Sequence, residues 1–250
     1  MQKVTIRLRS MFSVTLINLV GKVGSGKTLF MTADSVNSGR PIYANYEIRH
    51  KKYRALTPEL LMDPDLHGAV ICLDEAYAWL ESRTSGKDIN RYMSYILFQS
   101  RKKDMDIYMT DQLSSTIDLR FREMLDWEIR CKVIPTYKHP KEFRYTIIDV
   151  AERKAYRFIL PIENAKQYFG LYNTNQPISP IDDEMMVKIS KSKDSILEQV
   201  DGIVDAIMNE CPIKLINKAV IADFCIRNGW AKSYVDMSYN AFKRRVARMT

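Results

Sequence analysis

Two groups of residues carry side chains suited to chemistry on a phosphorylated ligand. The first is Gly21-Lys-Val-Gly-Ser-Gly26-Lys27-Thr28. Glycines at 21, 24 and 26 let the backbone curl so that successive N–H groups converge on an anion. Lys27 supplies a mobile cation for the β- and γ-phosphates, and Thr28 a hydroxyl ligand for Mg²⁺. The expected nucleotide-binding set is Gly21, Val23, Gly24, Ser25, Gly26, Lys27, Thr28 and Leu29. The second group is Asp74-Glu75, which closes the apolar run Ala69–Leu73 about 45 residues after Lys27. At that place Asp74 would hold the hydrated Mg²⁺ beside Thr28. Glu75 would polarise a water for in-line attack on the terminal phosphate. The plain alternatives are a chance match in a glycine-rich loop and a solvated acidic strand end.

Further residues qualify by position. Gln112 ends a later apolar run and could sense the γ-phosphate or orient the attacking water. Asn45 ends the second run, where it could hold Glu75 off-line or simply form a turn. Hydrolysis builds charge on the phosphoryl oxygens, and an arginine from a neighbouring subunit can contribute about 10³–10⁵ in rate. Arg83, Arg101, Arg120 and Arg122 are the candidates, with Arg101 favoured because it closes the helix before the Gln112 strand.

The elements that must position these residues alternate. Val14–Val20 reads as a strand and Leu29–Val36 as a helix, whose N-terminus would add partial positive charge beside the phosphates. Pro41–Ile48 is a second strand, 49–54 a basic connector, and Thr57-Pro58-Glu59 a helix start. Ala69–Glu75 reads as a buried strand, Ala76–Leu80 as a short helix, Ile89–Arg101 as a helix, Met105–Thr110 as a strand and Ser114–Phe121 as a turn with a short helix. This alternation predicts a parallel sheet with right-handed crossovers and a ligand at the carboxyl ends of the strands. From Trp127 the period becomes strand-like. Trp127–Ile134, Phe143–Val150 and Lys154–Leu160 are expected as an antiparallel extension. Three helices follow, over Ser195–Glu210, Lys214–Arg227 and Ser238–Met249.

The expected organisation is a basic leader over 1–12, an α/β nucleotide-binding domain over 13–176, a linker over 177–194 and a helical module over 195–250. In the last helix Phe242, Val246 and Met249 would face a core, with Lys243, Arg244, Arg245 and Arg248 outward. A three-helix module with a basic last helix is like helix-turn-helix DNA binders in outline; the alternative is a helical lid with a solvated basic face.

The chain has 250 residues, a formal net charge of +8 and a pI near 9.2, which favours a polyanionic partner. Its four cysteines have no metal-type spacing, and the simplest account is a reduced, intracellular protein with Cys72 in the core. No run approaches the roughly 18 apolar residues of a membrane span, and the N-terminus lacks a signal-peptide core.

Several segments together resemble one family. They are GKVGSGKT, Asn45, ICLDEAY, SRKKDMDIYMTDQ, IDLRFRE and FGLYNTNQ. Over roughly residues 12–180 the chain resembles the HerA/FtsK superfamily of RecA-like motor ATPases. Nearest in pattern are the genome-packaging ATPases of archaeal and membrane-containing viruses and the zonula-occludens-toxin-like assembly proteins of filamentous phages. The resemblance implies ATP and Mg²⁺ as cofactors, Thr28 and Asp74 at the metal, Glu75 in hydrolysis, Gln112 as the sensor glutamine and Arg101 as the arginine preceding it. It also implies a ring-forming homo-oligomer, often a hexamer, that pulls double-stranded DNA through its pore. Members of the toxin-like branch carry a membrane segment; its absence here tilts the expectation to packaging in the host cytoplasm, against a capsid or portal-like protein. The alternatives are a plasmid or phage DNA-transfer motor and an ATP-switched, DNA-binding initiator or partition-type regulator. A metabolic kinase is disfavoured, because no acceptor-binding lid is evident.

Overall fold

The computed structural model describes residues 16–57, 60, 63, 65–77, 100, 102–112, 123–178 and 183–249. They divide into two compact units, one drawn from 1–57 and 67–182, the other from 58–66 and 183–250.

The first unit is built on an eight-stranded sheet. In chain order its elements are β1 (Leu16–Val20), α1 (Lys27–Asn37), β2 (Ile42–Ala44), β3 (Tyr53–Ala55), β4 (Val70–Leu73), β5 (Asp106–Asp111), β6 (Trp127–Pro135), β7 (Pro140–Asp149), β8 (Ala155–Pro161) and α2 (Ile162–Phe169). The spatial order is β3-β2-β4-β5-β1-β6-β7-β8. β1 to β6 run parallel; β7 alone runs against them, pairing antiparallel with β6 on one side and β8 on the other. The expected antiparallel extension therefore starts one strand late: β6 pairs parallel with β1, Ile17 beside Trp127 and Val20 beside Arg130. Periodicity reports a strand but not its direction. The basic connector also differs from expectation, since its last residues form the short edge strand β3 against β2.

Burial follows strand type. β1, β4 and β5 are buried at every position, as parallel strands covered on both faces must be. β6 and β7 alternate between buried and accessible residues, which marks one wet face. α1 and α2 pack on the other face, where Ile17, Leu19, Phe30, Cys72, Tyr145, Ile147 and Leu160 share one core. Each such side chain withdrawn from water contributes about 1.5–3 kcal/mol. Phe30 stacks tilted on Tyr145 with ring centroids 4.7 Å apart, tying α1 to the antiparallel strands.

The second unit holds α3 (Asp183–Glu210), a 3₁₀ turn at Ile213–Leu215, α4 (Lys218–Arg227) and α5 (Ser233–Val246). Residues 183–194, expected as linker, belong to α3. Asn217 caps α4 by accepting from the N–H of Ala219 at 2.9 Å and Val220 at 3.1 Å, an arrangement worth about 1 kcal/mol. α5 begins five residues before the expected Ser238. Its Phe242 is buried among Val200, Ile203 and Phe224, and Val246 packs beside them; Met249, expected in that core, is 66% exposed beyond the helix end. Residues 58–66 join this unit rather than the sheet domain, and the Ser233 hydroxyl donates to Asp65 at 2.6 Å. Among the described residues no helix is long and apolar enough to cross a membrane.

Candidate functional site

The carboxyl ends of β1, β5 and β4 lie side by side, in that order. The glycine loop leaves β1, Asp74-Glu75 leaves β4, and the end of β5 is inserted between them. This order brings the two chemistry-bearing groups to one edge.

In the loop, Gly24 and Gly26 have φ of +74° and +88°, in the left-handed region open to glycine. Space enforces the same choice. A Cβ on Gly26 would stand 2.6 Å from Phe143 and 2.9 Å from the Tyr145 hydroxyl, and one on Gly24 would stand 2.7 Å from Tyr137. The Tyr145 hydroxyl also donates to the Gly26 carbonyl at 3.1 Å, so β7 holds the loop from below. Sequence reading missed Tyr145; it sits in an alternating strand with no signal beyond its buried parity.

The loop N–H groups are not equivalent. That of Gly21 donates to the Asp111 carbonyl at 3.3 Å and that of Ser25 to the Lys22 carbonyl at 3.1 Å, so these two close the turn instead of facing a ligand. Those of Val23, Gly24, Gly26, Lys27 and Thr28 have no backbone acceptor among the described residues. The Val23 side chain is 73% exposed, so only its backbone can serve the site. Leu29 is buried in the core under the first turn of α1. The Ser25 hydroxyl is buried and lacks a hydrogen-bond partner among the described residues. The ammonium of Lys27 reaches back to the carbonyls of Gly21 at 2.8 Å and Lys22 at 3.3 Å. Burial lowers its pKa, an effect opposed by the negative charges of Asp74 and Asp111.

Across the edge, the Thr28 hydroxyl lies 3.1 and 3.0 Å from the two oxygens of Asp74. Burial raises the Asp74 pKa above the ordinary carboxylate value, against hydrogen bonds from Thr110 and Thr28 that lower it. The Thr110 hydroxyl donates to Asp74 Oδ1 at 2.6 Å and accepts the Glu75 N–H at 2.9 Å. The Ala76 N–H bonds the Thr110 carbonyl at 2.9 Å. Thr110 was not singled out from sequence; a lone threonine in a buried strand, one residue before the strand end, is its only signal.

Asn45 does not touch Glu75. Its side chain brackets the backbone of Asp74, donating to the carbonyl at 2.9 Å and accepting from the N–H at 2.8 Å. Its role is to fix where β4 ends. The FGLYNTNQ segment supports that corner: Tyr172 bridges to Ile48, and Gln176 accepts from the Glu47 N–H at 2.8 Å. Glu75 is half-buried and has φ +48°, a conformation that costs a non-glycine residue about 1–3 kcal/mol and persists where the surroundings enforce it. Its carboxylate accepts from the Tyr77 hydroxyl at 3.3 Å. Gln112 is exposed directly after β5. Arg101 and Arg122, with Arg83 and Arg120, lie outside the described residues.

The site fits a magnesium–triphosphate. Thr28 and Asp74 are hard oxygen donors converging from two elements, the type Mg²⁺ selects. The Ser25 hydroxyl without a partner among the described residues, the open N–H groups and a half-buried lysine whose ammonium bonds loop carbonyls suit an anion in the loop.

Fold and site together define an α/β domain with a mostly parallel sheet and a glycine-rich, phosphate-binding type of loop between β1 and α1. No protein-family model matches the chain, and no curated protein matches it by sequence. Solved structures do resemble it. The N-terminal domain of zonular occludens toxin from Neisseria meningitidis shares 19% identity, covering 65% of this chain and 100% of that one, with a TM-score of 0.45. B204, the DNA-packaging ATPase of Sulfolobus Turreted Icosahedral Virus, shares 12% identity over 57% of this chain and 96% of its own, with a TM-score of 0.45. The RadB recombinase shares 13% over 62% and 90%, with a TM-score of 0.44.

Proposed function

We propose that the chain is an ATP-hydrolysing motor of the HerA/FtsK type that moves double-stranded DNA, with viral genome packaging as the best-supported setting. The observation that carries hydrolysis is the convergence of Thr28, Asp74 and Thr110 at one strand edge, with Glu75 held next to them. The loop N–H groups and Lys27 bind the phosphates. Bound Mg²⁺ would be held by Thr28 and Asp74 and would neutralise charge developing on the phosphoryl oxygens. Glu75 takes the proton of the attacking water. Gln112, one residue past β5, reads the phosphate, and arginines of a neighbouring copy, Arg101 or Arg122, complete the site. The DNA assignment is supported by the resemblance of the motif set and by the +8 charge.

The test is ATP turnover with and without duplex DNA. DNA-stimulated hydrolysis that disappears in Glu75→Gln, with nucleotide binding retained, is the expected result. Turnover by that variant at the parental rate would remove Glu75 from the mechanism, and indifference to DNA would remove the motor.

A second reading is an ATP-switched DNA-binding regulator, favoured by α5. Lys243 and Arg244 are exposed there, although Arg245 is taken up by Asp205 of α3. Footprinting separates the two. A discrete protected site supports the regulator, whereas sequence-blind binding that falls steeply with salt supports the motor.

A further inference from the structure

The wet face of β6–β8 has an ordering of charge that solvation alone does not require. Register places directly paired residues on the same face. One row is Arg130–Thr146–Arg157 and the next is Lys132–Arg144–Ile159. Lys132 thus stands directly opposite Arg144. Cross-strand pairs of opposite charge stabilise a sheet and like charges directly opposite destabilise it, so a face shaped only by stability would alternate signs.

The two carboxylates nearby do not cancel the cluster. Glu128 holds the Nε of Arg130 at 2.7 Å and Glu142 the Nε of Arg144 at 2.5 Å. Both bonds are within one strand, and both leave the terminal guanidinium nitrogens without a carboxylate among the described residues. These arginine side chains remain 67% and 55% exposed. Lys132 and Arg157, both exposed, have no carboxylate partner among the described residues. Residues two apart on a strand are about 6.6 Å apart and neighbouring strands about 4.8 Å, so the four cations form a compact grid. All four cations line a groove of about 1040 Å³ whose far wall is the glycine loop, from Gly21 to Val23 and Ser25.

We propose that this face docks the phosphate backbone of duplex DNA, with Lys132 and Arg157 as its unpaired contacts. Phosphates recur along each strand of a duplex at about 3.4 Å of rise, a charge density the grid can meet with several contacts at once. Neither row carries an aromatic residue, and the groove's one exposed ring among the described residues, Tyr137, is a single platform where successive bases of a single strand would need several. Contacts of this kind position a duplex without reading its sequence. The inference rests on the DNA reading above and names the surface that would serve it.

The test compares the full-length parent with Lys132→Gln/Arg157→Gln and with a matched control, Lys51→Gln/Lys166→Gln, whose charge change lies elsewhere on the surface. Duplex affinity is measured by fluorescence anisotropy across a salt series starting near 50 mM, with melting temperature and ATP-analogue affinity measured alongside. The expected result is about tenfold weaker binding for the first variant. Its slope of log affinity against log salt becomes shallower by about 2, while the control, the melting temperature and analogue affinity stay at parental values. Parental duplex affinity and slope in the first variant overturn the surface while leaving the DNA reading standing. No duplex binding by the parent overturns both. Weakened analogue binding would assign the cations to the nucleotide site, and loss of a homo-oligomer with duplex affinity retained would assign them to a subunit contact; either outcome overturns the proposal.

Discussion

The hydroxyl of Thr110 lies 2.6 Å from Asp74 Oδ1 and accepts the N–H of Glu75, so one side chain from β5 holds both acids at the end of β4. Outer partners of metal-binding carboxylates commonly matter 10–100-fold. Thr110→Val should lower the Mg²⁺-dependent hydrolysis rate by about that factor, with Mg²⁺-free nucleotide affinity within about threefold of the parent. Thr110→Ser, which keeps the hydroxyl, should restore most of the rate. Steady-state turnover and calorimetry decide it; a fully active Thr110→Val would show that the bond is incidental.

Acidity should act on the site from both sides. Burial raises the Asp74 pKa and lowers that of Lys27. Mg²⁺-nucleotide binding needs the first deprotonated and the second protonated. Affinity should fall on the acid side at a pH above the ordinary carboxylate range, and on the alkaline side below the ordinary lysine range. The ligand-free fold responds with the opposite sign. The folded state binds the Asp74 proton more tightly than the unfolded chain does, so this group's contribution to stability declines as pH rises through the window between the two pKa values. Asp74→Asn should abolish the acid limb of the binding profile. It should also raise the ligand-free melting temperature at neutral pH by about 2–4 °C, the shift expected for about 1 kcal/mol in a chain of this size. A melting temperature well below the parent's would contradict the burial argument.

Gly26 offers a test of the loop by itself. Alanine there meets Phe143 and must also hold a left-handed φ. Gly26→Ala should destabilise the sheet unit by about 1–3 kcal/mol and abolish nucleotide binding. Gly39, with φ +74° but nothing within 4 Å of a Cβ, provides the comparison: Gly39→Ala should cost only the backbone strain and leave binding unaltered. Chemical denaturation of both variants separates strain from collision.

Asn45 makes two hydrogen bonds to the backbone of Asp74. Asn45→Ala leaves two half-buried backbone groups short of partners, at about 1–3 kcal/mol. Because it does not touch Glu75, its kinetic signature should be a weaker Mg²⁺ requirement constant, not a change in the water-activating step. Hydrogen exchange at Asp74 and Glu75 should rise in this variant; unchanged protection would reassign Asn45 to a mere turn.

Much of this architecture is legible in the chain because glycine and charge patterns are local. Gly21 to Thr28 follow an apolar strand and open a helix, and Asp74-Glu75 end another, so the glycine loop and the acidic strand edge follow from short-range chemistry. The strand at Met105–Thr110 was expected one residue short of its observed end at Asp111. Less legible were contacts made between distant strands. Tyr145 under Gly26 and Thr110 between the acids are ordinary strand residues until register brings them to the site. The role expected for Asn45 shifted by one residue, from Glu75 to the backbone of Asp74, because a hydrogen bond depends on side-chain direction at a strand end, which spacing does not encode.

By itself the amino-acid order determined the glycine loop, the two acids, the alternation of strands and helices, and the basic balance. All of these are properties of neighbours in the chain. Only the tertiary structure decided that β6 runs parallel to β1, that β5 separates the loop from the acids, and that residues 58–66 join the helical unit. Strand direction and pairing arise from which apolar faces bury together over long separations, and no local pattern carries that information.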